Sequence, residues 1–107
     1  MNALERLQST IEDRKQAGQE AASYSAMLLH KGSDAISKKV IEEATECVLA
    51  AKEGDADHLV AEVADLWFHS MLLLSAHDKQ LADVCNELAR REGKSGLVEK
   101  AERGKQA

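Results

Sequence analysis

Proline is absent from this chain, and only three aromatic side chains occur, Tyr24, Trp67 and Phe68. With nothing to interrupt a helix, and with Ala, Leu, Glu and Lys abundant, the composition points away from sheet and towards an all-α protein. The two cysteines, Cys47 and Cys85, form neither a C-x-x-C pair nor a Cys/His zinc pattern. Both fall at apolar helical positions and are expected as reduced core thiols. There is no basic surplus. The formal net charge of −5 argues against a general nucleic-acid binder. No apolar signal core follows Met1, and no uninterrupted apolar run, Met71 to Leu74 included, is long enough to span a bilayer. The expectation is a cytoplasmic protein with no membrane partner.

At 107 residues the chain is expected to be one domain, with a core over about residues 23–92 and a flexible tail over 93–107. Leu4, Leu7 and Ile11 predict a first amphipathic helix closed near Gly18. Ser23-Tyr24-Ser25 begins a short second helix through Leu29, stopped at Gly32. Ser33 or Asp34 is expected to cap a long third helix reaching about Glu53. Gly54-Asp55 breaks it, and Asp55 or Asp57 caps a fourth helix to about His77. A fifth runs from about Lys79 to Glu92. The fold expected is a bundle of about four to five helices around a long central antiparallel hairpin. So small a domain buries a limited core, so dimerisation into a larger bundle is expected.

What the chain has instead of those missing features is acid in unusual places. Glu42-Glu43-Ala44-Thr45-Glu46 and Glu62-Val63-Ala64-Asp65 each interrupt an apolar helical stretch. Glu43 and Glu46, and Glu62 and Asp65, are spaced i, i+3, so each pair sits about 60° apart on one helix face. An isolated E-x-x-E is usually a solvated face. Here both pairs border apolar stripes: Ile36, Val40, Ala44, Cys47, Val48 and Ala51 on one helix, Leu59, Val63, Leu66, Trp67, Ser70 and Leu74 on the next. Residues equally far from the hairpin turn are expected to meet, which places Glu46 opposite Glu62. Four carboxylates so assembled repel one another unless cations compensate, and a hard divalent ion such as Mg2+ is the natural partner.

The neighbouring polar residues are less specific. Lys31, Lys38 and Lys39 lie within or before the turn that carries Glu42 and Glu43, although most lysines are simply solvated. Lys52 is near a helix C-terminus, where a cation is favourable anyway. His69 follows Asp65 by one turn and is expected as a support or substrate contact. Trp67 is expected in the core and Phe68 at a dimer interface.

With those residues in place, Ser23 to Arg103 resembles the phosphoribosyl-ATP pyrophosphohydrolases, a branch of the all-α NTP pyrophosphatase (MazG-like) superfamily. The matching segments are Ser23-Tyr24-Ser25-Ala26-Met27-Leu28-Leu29, Lys31-Gly32, Lys38 to Glu46, Ala50 to Asp55, Glu62 to His69, and Arg90 to Leu97. The E-E-x-x-E…E-x-x-D skeleton alone identifies the superfamily, and its surroundings narrow it to this branch. The resemblance implies a homodimer that uses Mg2+ to cleave 1-(5-phosphoribosyl)-ATP, a small-molecule substrate, into pyrophosphate and 1-(5-phosphoribosyl)-AMP, an early step in making histidine. It implies Glu43, Glu46, Glu62 and Asp65 as metal ligands, with Glu42 a further ligand or the base that orients water. Lys31, Lys38, Lys39 and, less specifically, Lys52 are then expected as phosphate contacts, with Arg90, Arg91 and Lys94 over the phosphates from the same or the other subunit. The alternatives are a house-cleaning nucleoside triphosphate pyrophosphatase of the same superfamily and a non-catalytic helical dimerisation module.

Overall fold

The computed structural model describes residues 1–18 and 23–106. They form six helices and, among the described residues, no strand: α1 (Ala3–Ala17), α2 (Tyr24–Lys31), α3 (Ser33–Glu53), α4 (Ala56–Ala76), α5 (Leu81–Arg90) and α6 (Gly96–Gln106). The all-α bundle expected from composition is therefore the observed class.

Local chemistry explains most boundaries. Asn2 Oδ1 accepts the Glu5 N–H at 2.9 Å to open α1, and Gly18 closes it in the left-handed region at φ 64°. Ser23 Oγ accepts the Ala26 N–H at 3.0 Å and opens α2. The start of α3 differs from expectation. Gly32 is its N-cap, with no side-chain bond, at φ 97° and ψ −177°, a conformation open essentially to glycine alone. Ser33 is already helical, and its hydroxyl lies 2.9 Å from His77 Nε2. Gly54 ends α3 at φ 76°, and Asp55 Oδ1 accepts the His58 N–H at 3.1 Å to start α4, as the sequence suggests. The fifth helix is shorter than its pattern, because Asp83 Oδ2 accepts the Gln80 N–H at 2.8 Å and sets the start at Leu81.

The tail is the largest departure. Residues Gly96–Gln106 form a sixth helix rather than a flexible segment. Ser95 opens it through a 3.1 Å bond to the Val98 N–H, and ion pairs hold it to α5 and to the link before it: Arg90 to Glu99 at 2.6 Å and Lys94 to Glu102 at 2.7 Å. The turn-rich look of Gly93 to Gly96 conceals a real connection between two helices.

α3 and α4 pack along one another as the predicted antiparallel hairpin and make the most extensive helix contact in the molecule. The apolar core lies towards the open end of that hairpin, where Ile36 from α3 and Met71 and Leu72 from α4 meet Ile11 of α1 and Leu28 of α2. Ile11, Ile36 and Leu72 are fully enclosed. Truncating any one to alanine is expected to cost about 2–5 kcal/mol.

At the closed end little covers the hairpin. Val48, Leu49 and Val60 are exposed, and Ala51, expected on the buried stripe, is exposed with them. Trp67, expected in the core, is 52 % exposed, whereas Phe68 packs against the core instead of facing outward. Cys85 is exposed rather than interior, Cys47 is half-buried, and both are free thiols. One further contrast concerns α4. Taken as a whole helix, it is long and apolar enough to cross a membrane, a property the short run Met71 to Leu74 does not reveal. Here it carries Glu62 and Asp65 and packs lengthwise on α3.

Candidate metal centre

Glu43 projects from the middle of α3, and Glu62 and Asp65 from successive turns of α4. One carboxylate oxygen from each lies within 4.8 Å of the others. The side chains of Glu43 and Glu62 are only 14 % and 16 % exposed, so two of the three acids are largely withdrawn from water, while Asp65 opens to solvent. Carboxylates this close repel one another, which is the electrostatic condition a divalent ion relieves. The donors are all oxygen, so they fit Mg2+ or Mn2+ better than a soft metal.

The trio differs in register from the expectation. Glu43 and Asp65, not Glu46 and Glu62, are the acids on opposite helices that converge at equal distance from Gly54. Glu46, one turn beyond Glu43, is exposed and outside the trio. The reason is the roll of α3. Its inward line runs through Ile36, Val40, Glu43, Cys47 and Ala50, and this turns Glu46 and Val48 outward. Cys47 sits beside the trio: burial pushes its thiol up, and Glu62, Glu43 and Asp65 add to the shift.

Basic side chains divide into two groups. Lys39 stands at the rim, its Nζ 3.2 Å from Glu42 Oε2 and 3.6 Å from Glu43 Oε1. The hydrogen bond to Glu42 holds its ammonium above the ordinary lysine range, with smaller contributions from Tyr24, Glu42 and Glu43 charges. Glu42 is thereby engaged with Lys39 and exposed to solvent. Lys31, Lys38 and Lys52 are exposed. Arg90, Arg91 and Lys94 do not gather over the acids. Arg90 and Arg91 bind Glu87 and Glu99, and Lys94 binds Glu102, within the α5–α6 segment.

His69, expected as a support or a substrate contact, is buried and committed at both ring nitrogens. Nδ1 lies 2.7 Å from the Asp65 carbonyl oxygen, which can only accept, so Nδ1 carries the proton. Nε2, 2.9 Å from the Tyr24 hydroxyl, then accepts from it. His69 is a support in this arrangement.

Two contributors escape the sequence reading. His58 bridges Glu53 and Glu62, with Nδ1 3.4 Å from Glu53 Oε2 and Nε2 3.2 Å from Glu62 Oε1. The bond to Glu53 is the main cause of its raised pKa, and Glu62 adds to it. Its i, i+4 spacing to Glu62 was a readable signal. Tyr24 leaves no such signal, because its partner His69 is remote in the chain.

Comparison with known proteins identifies the family. The family model described as phosphoribosyl-ATP pyrophosphohydrolase matches residues 4–92. A Neisseria meningitidis serogroup B protein named phosphoribosyl-ATP pyrophosphatase is 58 % identical over 102 residues, covering 95 % of this chain and 94 % of the relative. Proteins of the same name from Nitrosospira multiformis and Ralstonia nicotianae are 56 % and 54 % identical, covering 94 % and 99 % of this chain and 82 % and 94 % of their own lengths. With a family match along most of its length and an acidic trio at the centre of its hairpin, this chain belongs to the phosphoribosyl-ATP pyrophosphohydrolase family.

Proposed function

We propose that this protein hydrolyses 1-(5-phosphoribosyl)-ATP to 1-(5-phosphoribosyl)-AMP and pyrophosphate, an early step of histidine biosynthesis, as a Mg2+-dependent cytoplasmic homodimer. The observation that carries the reading is the convergence of Glu43, Glu62 and Asp65 in a member of this family. Bound there, Mg2+ would neutralise phosphate charge, polarise phosphorus and lower the pKa of a coordinated water.

The chain's own residues supply placement. Glu43, Glu62 and Asp65 would hold the ion between the two helices of the hairpin. Glu46, exposed one turn along α3, would reach the same ion only by turning its side chain inward. His58 braces Glu62 through a 3.2 Å contact. Lys39 offers a point charge to phosphate beside the trio once Glu42 releases it, and Glu42 is then available to orient water. Pyrophosphate is a competent leaving group once its charge is offset, so water attacks directly and no protein nucleophile is needed.

The homodimer is supported by apolar surface left uncovered on one protomer. Trp67 and Leu88 are more than half exposed and flank a groove of about 320 Å3 that also touches Leu74, Leu81 and Val84. A second copy would bury it with the bare closed end of the hairpin. In that dimer Arg90, Arg91 and Lys94 serve phosphate only by exchanging their present acid partners.

Product analysis with purified protein tests the reading. Phosphoribosyl-ATP should yield phosphoribosyl-AMP and pyrophosphate, a chelator should stop turnover, and Mg2+ should restore it. Orthophosphate release, or equal turnover of ATP or dUTP, would move the chain out of this activity.

A further inference from the structure

Of the three aromatic side chains, Tyr24 alone has a ring that is both anchored and open. Its hydroxyl donates to His69 Nε2 at 2.9 Å. Its ring lies within 25° of parallel to Phe68 at a centroid distance of 6.1 Å, and His69 meets it edge-on at 5.7 Å. Tyr24 nevertheless remains 45 % exposed. A side chain fixed in this way loses little further freedom when a ligand covers it, which makes an exposed, anchored ring an efficient contact surface.

Its position is as informative as its rigidity. The same His69 that receives the Tyr24 hydroxyl donates to the carbonyl of Asp65, whose carboxylate belongs to the acidic trio. One imidazole therefore separates the ring from the metal centre's backbone. Trp67 is no rival: it opens into the apolar groove with Leu74, Leu81, Val84 and Leu88. Phe68 is the partner behind the Tyr24 ring and packs on the core.

We propose that Tyr24 is the stacking surface for the purine of the nucleotide whose phosphates are held at the Glu43–Glu62–Asp65 centre. The proposal rests on the pyrophosphohydrolase reading and adds to it the base-binding element. Any purine offers a π face to such a ring, and an N1 substituent leaves that face available.

Two probes separate the base from the phosphates: α,β-methylene-ATP, and inorganic tripolyphosphate, which has no base. Each is titrated with Mg2+ into the full chain. Tyr24→Leu should weaken α,β-methylene-ATP about 10-fold, or about 1.4 kcal/mol, within the range measured for base–aromatic stacking. It should leave tripolyphosphate unchanged, and Tyr24→Phe, which keeps the ring, should retain most of the nucleotide affinity. Tyr24 is the chain's single tyrosine. Its ring resonances in the wild-type protein should therefore shift upfield with α,β-methylene-ATP and not with tripolyphosphate, a measurement that requires no variant to fold. Equal weakening of both probes, a loss in Tyr24→Phe as large as in Tyr24→Leu, an unshifted ring, or a changed sedimentation coefficient for Tyr24→Leu would each overturn the proposal. If phosphoribosyl-ATP is cleaved by a wild-type protein whose tyrosine ring ignores the nucleotide, stacking fails and the activity stands. If phosphoribosyl-ATP is not cleaved at all, the underlying reading fails too.

Discussion

His58 Nε2 lies 3.2 Å from Glu62 Oε1 while its Nδ1 faces Glu53 Oε2 at 3.4 Å, so one imidazole spans the closed end of the hairpin and ends on an acid of the trio. Groups that orient a metal-binding side chain commonly change metal affinity by about 10-fold or more when removed. His58→Ala should therefore weaken Mn2+ binding to the nucleotide-free protein by about that factor, measured by calorimetric or paramagnetic titration. Its helical circular dichroism should be unchanged. Wild-type Mn2+ affinity in this variant would show that Glu62 needs no brace.

Asp65→Asn and Glu43→Gln should each lower turnover by at least about 100-fold, as expected when a charged group serving an electrostatic centre is lost. The fold should survive, and thermal stability without metal should hold or rise, since a repelling charge is removed. Glu46→Gln should cost distinctly less, because Glu46 stands outside the trio. Steady-state kinetics across a Mg2+ titration distinguishes the three. A Glu46→Gln loss equal to that of Asp65→Asn would mean that the ion draws the fourth carboxylate inward and uses it fully.

Placing a charge in the apolar groove should dissociate the assembly. Leu88→Asp and Trp67→Glu each set a carboxylate where a second copy would cover it, and an unpaired buried charge is costly. Sedimentation should show a wild-type dimer and a monomeric variant, with a melting temperature that depends on protein concentration only for the wild type. A wild-type monomer at micromolar concentration would remove the dimer from the reading.

The α5–α6 connection should be acid-labile in a defined window. Hydrogen bonds from Arg90, and then from Arg91, hold the Glu87 carboxyl down to about 2. A depressed folded-state pKa means that the contribution is complete above the ordinary glutamate value of about 4.3 and fades as pH falls towards 2. Hydrogen exchange in α5 and α6 should accelerate across that interval before the α3–α4 hairpin responds. Glu87→Gln should abolish the difference, and equal acid sensitivity of both regions would contradict it.

Much of this protein is legible along the chain because its determinants are local. Asn2, Ser23 and Asp55 are caps within a turn of the helices they open. Gly54 needs only its own backbone freedom to end α3, and the i, i+3 acids share a face by helix geometry alone. A short turn between two long amphipathic helices then leaves the antiparallel hairpin as the natural packing. Local spacing does not define how far each helix rolls about its own axis. That roll was decided where Ile36, Met71 and Leu72 packed with Ile11 and Leu28, and it turned Glu43 inward and Glu46 outward, buried His69 and exposed Trp67. The sixth helix and the Tyr24–His69 bond belong to the same category. The first is secured by ion pairs to α5 that no apolar periodicity announces, and the second joins residues that become neighbours only after α2 has docked on α4. The sequence by itself determined that the first five helices form and which acids are available. Tertiary packing decided which of those acids face one another, because a side chain's partner across an interface depends on the rotation of both helices, and that rotation is set by the whole core.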